Sequence, residues 1–155
     1  SAPYSLNLTG LEGITKDAQQ KKFRWGIGEK TELTFYLSVP QDLVLTYSFD
    51  NPISPQDIIV EIDGIQIERI APIQVGDRVQ RQLKFQGIAG QNTITFKYQN
   101  RSSFFEVLQY AMKHENLEIK PLPLEAQYGN WKSQRSIRFR QLSIQPVQKN
   151  RSQKA

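Results

Sequence analysis

Apolar and polar residues alternate with a period of two along most of the chain, and this pattern predicts strands. Glu32 to Val39 places Leu33, Phe35, Leu37 and Val39 on one face before Pro40 stops the run and Gln41-Asp42 turn it. Leu43, Leu45, Tyr47 and Phe49 then form the inner face of the next run. Asn51-Pro52 ends that strand, because proline has no donor for the ladder. Ile58 to Ile62 and Ile65 to Ile67 flank Asp63-Gly64, a two-residue hairpin signal between alternating runs. Val79 to Phe85 is a further strand, a turn at Gly87 and Gly90 follows, and Thr93 to Tyr98 carries Ile94, Phe96 and Tyr98 on one side. Tyr4 to Leu8 and Lys22 to Trp25 add shorter runs. The chain closes on Arg135 to Gln145, where strict alternation sets Ile137, Phe139, Gln141 and Ser143 against Arg138, Arg140, Leu142 and Ile144.

One segment departs from this period. Ser103 to His114 carries Phe104, Val107, Leu108, Ala111 and Met112 at helical spacing, which predicts a short helix covering one open end of the strand layers. Asn116 and Pro121 limit its length. Glu115 to Gly129 reads as a connection, with a short strand expected at Leu117 to Ile119. About nine strands at this spacing, with a late strand returning to pair with an early one, predict an all-β fold. The expected form is a jelly-roll-like antiparallel β-sandwich with one short helix. Periodicity leaves the strand order open between a jelly roll and an immunoglobulin-like Greek key.

Composition narrows the setting. The 155 residues suit one domain, large enough to bury roughly two-thirds of its unfolded surface. We assign residues 1–145 to the sandwich and 146–155 to a disordered basic tail or linker. The net charge is +5, and three of those charges are Lys149, Arg151 and Lys154; the remainder carries only +2. Phosphate-driven nucleic-acid binding needs a denser basic face, so no nucleic-acid partner is expected. No run reaches the roughly twenty apolar residues of a membrane span. The opening Ser1-Ala2-Pro3 lacks a basic-then-apolar leader and reads as a processed start. The absence of cysteine rules out disulfides and thiolate chemistry.

Chemistry-bearing patterns are few. No serine motif, phosphate loop or dinucleotide fingerprint is present. The acids mostly alternate with apolar residues on strands, as Glu61 and Asp63 do, which suits a solvated sheet face. We therefore expect no enzyme and no cofactor. His114, the single histidine, has Glu115 and Glu118 nearby without metal-ligand spacing, so we expect it exposed at a helix end and no metal site there. Ser48 to Asp57 offers Asp50, Asn51 and Asp57 as oxygens for a structural calcium, a weaker candidate. Aromatics beside polar groups at strand ends are the better signal. A sugar stacks its CH face on a ring while amides, carboxylates and arginines hold its hydroxyls. Arg24-Trp25 precedes the turn Gly26-Ile27-Gly28-Glu29, and Tyr128-Gly129-Asn130-Trp131 precedes Arg135. Trp25, Tyr128 and Trp131 are the candidate stacking surfaces, and Arg24, Asn130 and Arg135 the polar partners.

Six segments carry a resemblance. Phe23-Arg24-Trp25, Glu32 to Val39, Leu43-Val44-Leu45, Ile59-Val60-Glu61-Ile62-Asp63-Gly64, Gly90-Gln91-Asn92-Thr93-Ile94 and Arg135 to Ile144 occur in this order. The set resembles the galactose-binding-like and carbohydrate-binding-module sandwiches over Phe23 to Ile144. The chain departs from that pattern at Ser133-Gln134, where an acidic residue often stands, and in the Ser103 to His114 segment. The resemblance implies an extracytoplasmic bacterial accessory domain, periplasmic or at the cell surface. It further implies a non-catalytic module whose partner is a polysaccharide or oligosaccharide. The alternative expectation is a structural or protein-interaction domain of an envelope assembly, docking through Phe104, Phe105, Leu108 and Met112.

Overall fold

Leu33, Phe35, Leu43, Leu45, Tyr47, Phe49, Ile58, Val60, Ile94 and Phe96 are all fully buried, and they come from strands that face one another in two layers. The computed structural model describes residues 5–128 and 132–148. Its strands are β1 (Asn7–Thr9), β2 (Thr15–Lys16), β3 (Lys22–Ile27), β4 (Lys30–Leu37), β5 (Gln41–Asp50), β6 (Gln56–Ile62), β7 (Ile65–Ile73), β8 (Arg78–Gly87) and β9 (Gly90–Tyr98). Two helices follow, α1 (Phe104–His114) and α2 (Leu124–Gln127), and then β10 (Arg135–Pro146). The first sheet runs β1-β4-β9-β6-β7 and the second β2-β3-β10-β5-β8. Every pairing is antiparallel.

Strand order decides between the two architectures left open by periodicity. β3 pairs with β10, β4 with β9, β5 with β8 and β6 with β7, so the outermost strands pair first and the pairing nests inward. Successive nested pairs fall in alternate sheets. That is one long hairpin rolled into a sandwich, a jelly roll. Only the innermost pair closes as a tight hairpin, at Asp63 and Gly64, whose φ values of 50° and 81° suit a turn with both central residues left-handed. Apart from the β2–β3 turn, which stays within the second sheet, the remaining short turns carry the chain from one sheet to the other.

β10 corrects the facing expected from strict alternation. Phe139 pairs with Phe49, but Gln141 pairs with Ser48, so Arg140 is an extra residue in the ladder. This bulge shifts the parity of everything after it. Ile137, Phe139, Leu142 and Ile144 therefore all face the core, while Arg138, Gln141 and Ser143 lie on the outer face. Gly26 in β3 has a comparably local cause: a Cβ there would sit 2.5 Å from Tyr98 Oη and 2.8 Å from Ser136 Oγ. The absent side chain lets the two sheets close over the 2.5 Å bond between Tyr98 Oη and Thr31 Oγ1.

The helix is where helical spacing put it. Ser103 caps it by accepting from Glu106 N–H at 3.2 Å, and Glu106 Oε1 accepts from Ser103 N–H at 3.0 Å. Its position differs from the expected one. α1 does not close an end of the sandwich but lies on the outer face of the second sheet, where Phe23 and Trp25 project from β3 to meet Val107. The strand expected at Leu117 to Ile119 is irregular chain, and α2 follows it.

Candidate functional site

Alternation along β3 separates its side chains. Trp25 is paired with Arg138 on the outer face, while Arg24 is paired with Phe139 on the inner one. The outward rings of Phe23 and Trp25 stand edge to face at 5.9 Å. α1 packs Val107 against them and brings Phe104 and Leu108 to the same cleft, of about 200 Å3, between helix and sheet. Five aromatic side chains line it: Phe23, Trp25, Phe104, Tyr110 and Tyr128. Glu12, Lys16, Glu115, Arg135 and Arg138 supply its charged groups.

The arginines of this cleft are fixed before any ligand enters. Arg135 donates to Glu12 Oε1 at 2.8 Å and to Ser133 O at 2.6 Å, and its guanidinium lies 4.5 Å from the Phe104 ring centre. Arg138 lies among Phe23, Trp25 and Tyr110, within 5.7 Å of each ring centre. It donates to Asp50 Oδ2 and to Glu115 Oε1, each at 2.5 Å. Burial works against the charge on Arg138, but the two carboxylates outweigh it and raise its pKa further.

The ionic contacts continue as a ladder over the outer face. Arg140 bonds Asp50 Oδ1 at 3.2 Å and Asp17 Oδ2 at 2.7 Å, and Glu115 Oε2 accepts from Ala18 N–H at 2.6 Å. Asp17 Oδ1 also accepts from the backbone N–H groups of Gln19 and Lys21, both at 2.9 Å. Burial pushes the Asp17 carboxyl up, but the Lys21 N–H, the Arg140 guanidinium and the Gln19 N–H hold it below the ordinary carboxylate value. Asp17, Arg140, Asp50, Arg138 and Glu115 thus alternate in sign from the β2–β3 turn to the end of α1.

Trp25, Tyr128 and Arg135 share the cleft. Trp25 is only 6% exposed and Arg135 only 1%, so both form wall rather than rim, and Tyr128 is half-buried with its ring 5.2 Å from Phe104. Arg24 stays apart, because it points to the other face of β3 and donates through Nε to Glu12 O at 2.7 Å. Asn130 and Trp131 lie outside the described residues. The sequence reading missed Glu12, Glu115 and Arg138 as parts of this cleft. Glu12 has no strand pattern around it, and Arg138 read as one more outward residue of a solvated strand.

Three further expectations change. The docking patch of Phe104, Phe105, Leu108 and Met112 is divided by the helix: Phe104 and Leu108 face the sheet, while Phe105 is 57% and Met112 45% exposed. Phe105 is rotated by about 100° from Phe104 and so falls outside the stripe of Phe104, Val107 and Leu108. The calcium oxygens do not converge, because Asp50 on β5 is held by Arg138 and Arg140 while Asp57 on β6 in the other sheet is paired with Arg69. His114 is exposed and stacks on Tyr110 at 4.7 Å. No helix among the described residues is long and apolar enough to cross a membrane.

No family model matches the chain, and no curated protein matches it. Solved structures share its outline. One is a family 35 carbohydrate-binding module from an environmental isolate, at 13% identity, covering 94% of this chain and 95% of the other, with a TM-score of 0.47. Another is a family 35 module from Clostridium thermocellum, at 6% identity, with 92% of each chain covered and a TM-score of 0.42. A third is a carbohydrate-binding module from a Cellvibrio mixtus lichenase in complex with cellotriose, at 11% identity, covering 92% and 91%, with a TM-score of 0.40. The likeness concerns the fold alone, and the jelly roll rests on the strand order above.

Proposed function

We propose that the protein is a non-catalytic carbohydrate-binding module of an extracytoplasmic assembly, and that it takes a sugar ring in the cleft beneath α1. The observation that supports this is the convergence of five aromatic side chains with Glu12, Glu115 and two arginines around one opening. A ring needs an apolar face for its CH groups and a few fixed polar groups for its hydroxyls. Tyr128 offers the accessible ring, Glu12 the acceptor, and Arg135 holds Glu12 in place. At about 200 Å3 the cleft is smaller than the several hundred Å3 of drug-sized sites, which favours a single residue or chain end. Asn130 and Trp131 follow Tyr128 closely in the chain and belong to the same proposal.

A binding screen against soluble and insoluble glycans tests it, with Tyr128→Ala and Trp131→Ala variants alongside. The expected result is retention by at least one glycan that a still-folded variant loses. Failure of the protein to bind any glycan overturns the reading, and the search then turns to a protein partner at Phe105 and Met112.

A further inference from the structure

A second recess lies beside the cleft, and the sugar reading above makes no use of it. It is a groove of about 620 Å3 across the outer face of the second sheet. Its floor includes Ser48, Asp50 and Arg140. Lys21 and Lys22 stand on one bank, at the start of β3, and Arg78 on the other, at the start of β8. β10 and β5 run between the banks. Three strand spacings therefore put the backbones of the banks about 14 Å apart. A smaller recess of about 260 Å3 continues past Arg78 to Tyr110 and His114.

The carboxylates of this region are already engaged. Asp17 and Asp50 both accept from Arg140, and Asp50 and Glu115 from Arg138. The three carboxylates of the ladder exceed its two guanidiniums by one, and Lys21, Lys22 and Arg78 bring the region to +2. None of those three side chains makes a hydrogen bond or ion pair with the described residues. Like charges gathered along one groove repel one another and raise the local potential for an anion.

We propose that this groove binds a linear anionic glycan. Its carboxylate or sulfate groups lie between Lys21, Lys22 and Arg78, and its hydroxyls meet Ser48, Gln19 and Gln80. The lining favours this class over other polyanions. The aromatic residue of the larger recess, Phe49, is buried in the core, and Tyr110 in its continuation is already packed against His114 and Arg138, whereas single-stranded nucleic acid is gripped by stacking bases on exposed rings. The cations sit on the banks of a recess with a polar floor, which suits a narrow flexible chain rather than a bilayer surface, where apolar side chains would need to enter the headgroup boundary.

Affinity electrophoresis of the whole chain tests the proposal, with dextran sulfate against dextran and polygalacturonate against its methyl ester. The charged polymer of at least one pair should retard the protein and its neutral counterpart should not; which pair responds identifies the anion. A Lys21→Ala, Arg78→Ala double variant should lose about tenfold in affinity, since each exposed ion pair contributes modestly and the two act together. Both side chains are exposed, and an unchanged urea midpoint confirms the fold. A Lys30→Ala, Lys97→Ala control removes the same charge from the first sheet and should leave binding intact. Equal loss in that control, no loss in the groove variant, or single-stranded DNA bound as tightly as the glycan each overturns the proposal. Tyr128→Ala leaves the groove intact, so failure of the cleft and failure of the groove read out separately.

Discussion

Arg138 Nη1 donates to Glu115 Oε1 at 2.5 Å, joining the outer face of β10 to the residue that ends α1. The same guanidinium holds Asp50 on β5, so one buried side chain ties together the sheet and the helix that roofs the cleft. Removing one partner of a buried ion pair leaves the other charge desolvated. Arg138→Leu is therefore expected to cost about 3 kcal/mol, with Asp50 kept partly compensated by Arg140. Glu115→Gln keeps a hydrogen-bonding group in place and should cost about 1 kcal/mol. Urea unfolding of the three proteins checks this, and an Arg138→Leu variant as stable as the parent would show that the ladder has no structural weight.

The Asp17 carboxyl carries a pH signature. Its folded pKa lies below the ordinary value of 3.8, so the unfolded chain takes up the proton more readily than the folded one. The stability it contributes is present above about pH 5 and is lost as the pH falls through the folded pKa. Asp17→Asn retains the oxygen that accepts from the Gln19 and Lys21 N–H groups but removes the charge facing Arg140. The parent should exceed the variant in urea-measured stability at neutral pH, and the gap should close below pH 4. A gap that stays constant down to pH 2 would assign it to shape instead of charge.

Gly26 is a steric requirement of the sheet-to-sheet contact. A methyl group there meets Tyr98 Oη and Ser136 Oγ well inside van der Waals distance, on side chains that are themselves fixed. Gly26→Ala should cost about 1–3 kcal/mol, the usual range for overpacking. Gly13→Ala, where nothing lies within 4 Å, is the control and should leave the unfolding midpoint near that of the parent. Equal effects at the two positions would remove the steric account.

Core strands with clean alternation were legible in the sequence, because Leu43, Leu45, Tyr47 and Phe49 can share a face only if the chain is extended. The helical spacing of Phe104, Val107, Leu108, Ala111 and Met112 made α1 legible too. Its docking place was not, since that depends on Phe23 and Trp25 facing outward, and their parity on a sheet follows from pairing with β10. The bulge at Arg140 was equally hidden: nothing in Arg138-Phe139-Arg140-Gln141 marks one residue as extra until β5 fixes the register. The cleft was partly legible. Aromatics near strand ends pointed to Trp25 and Tyr128, whereas Glu12 and Glu115 enter only through tertiary contacts, 123 and 23 residues from the arginines they hold.

The two faces of α1 give a final separation. Leu108 is buried and lines the cleft, so truncating it opens a hole in the layer that roofs it. Leu108→Ala should cost about 2–4 kcal/mol. Phe105 lies outside the buried stripe at 57% exposure, so Phe105→Ala should change stability by no more than about 0.5 kcal/mol. Backbone hydrogen exchange sharpens the comparison. If α1 is held to the sheet by its apolar stripe, Leu108→Ala should speed exchange across residues 107–114 while the amides of β4 and β9 keep their protection. Global unprotection would mean that helix and sandwich unfold as one unit, and the cleft would then lack a roof able to open independently. Unchanged exchange in the helix would place its anchor elsewhere, with the Arg138–Glu115 pair the first alternative.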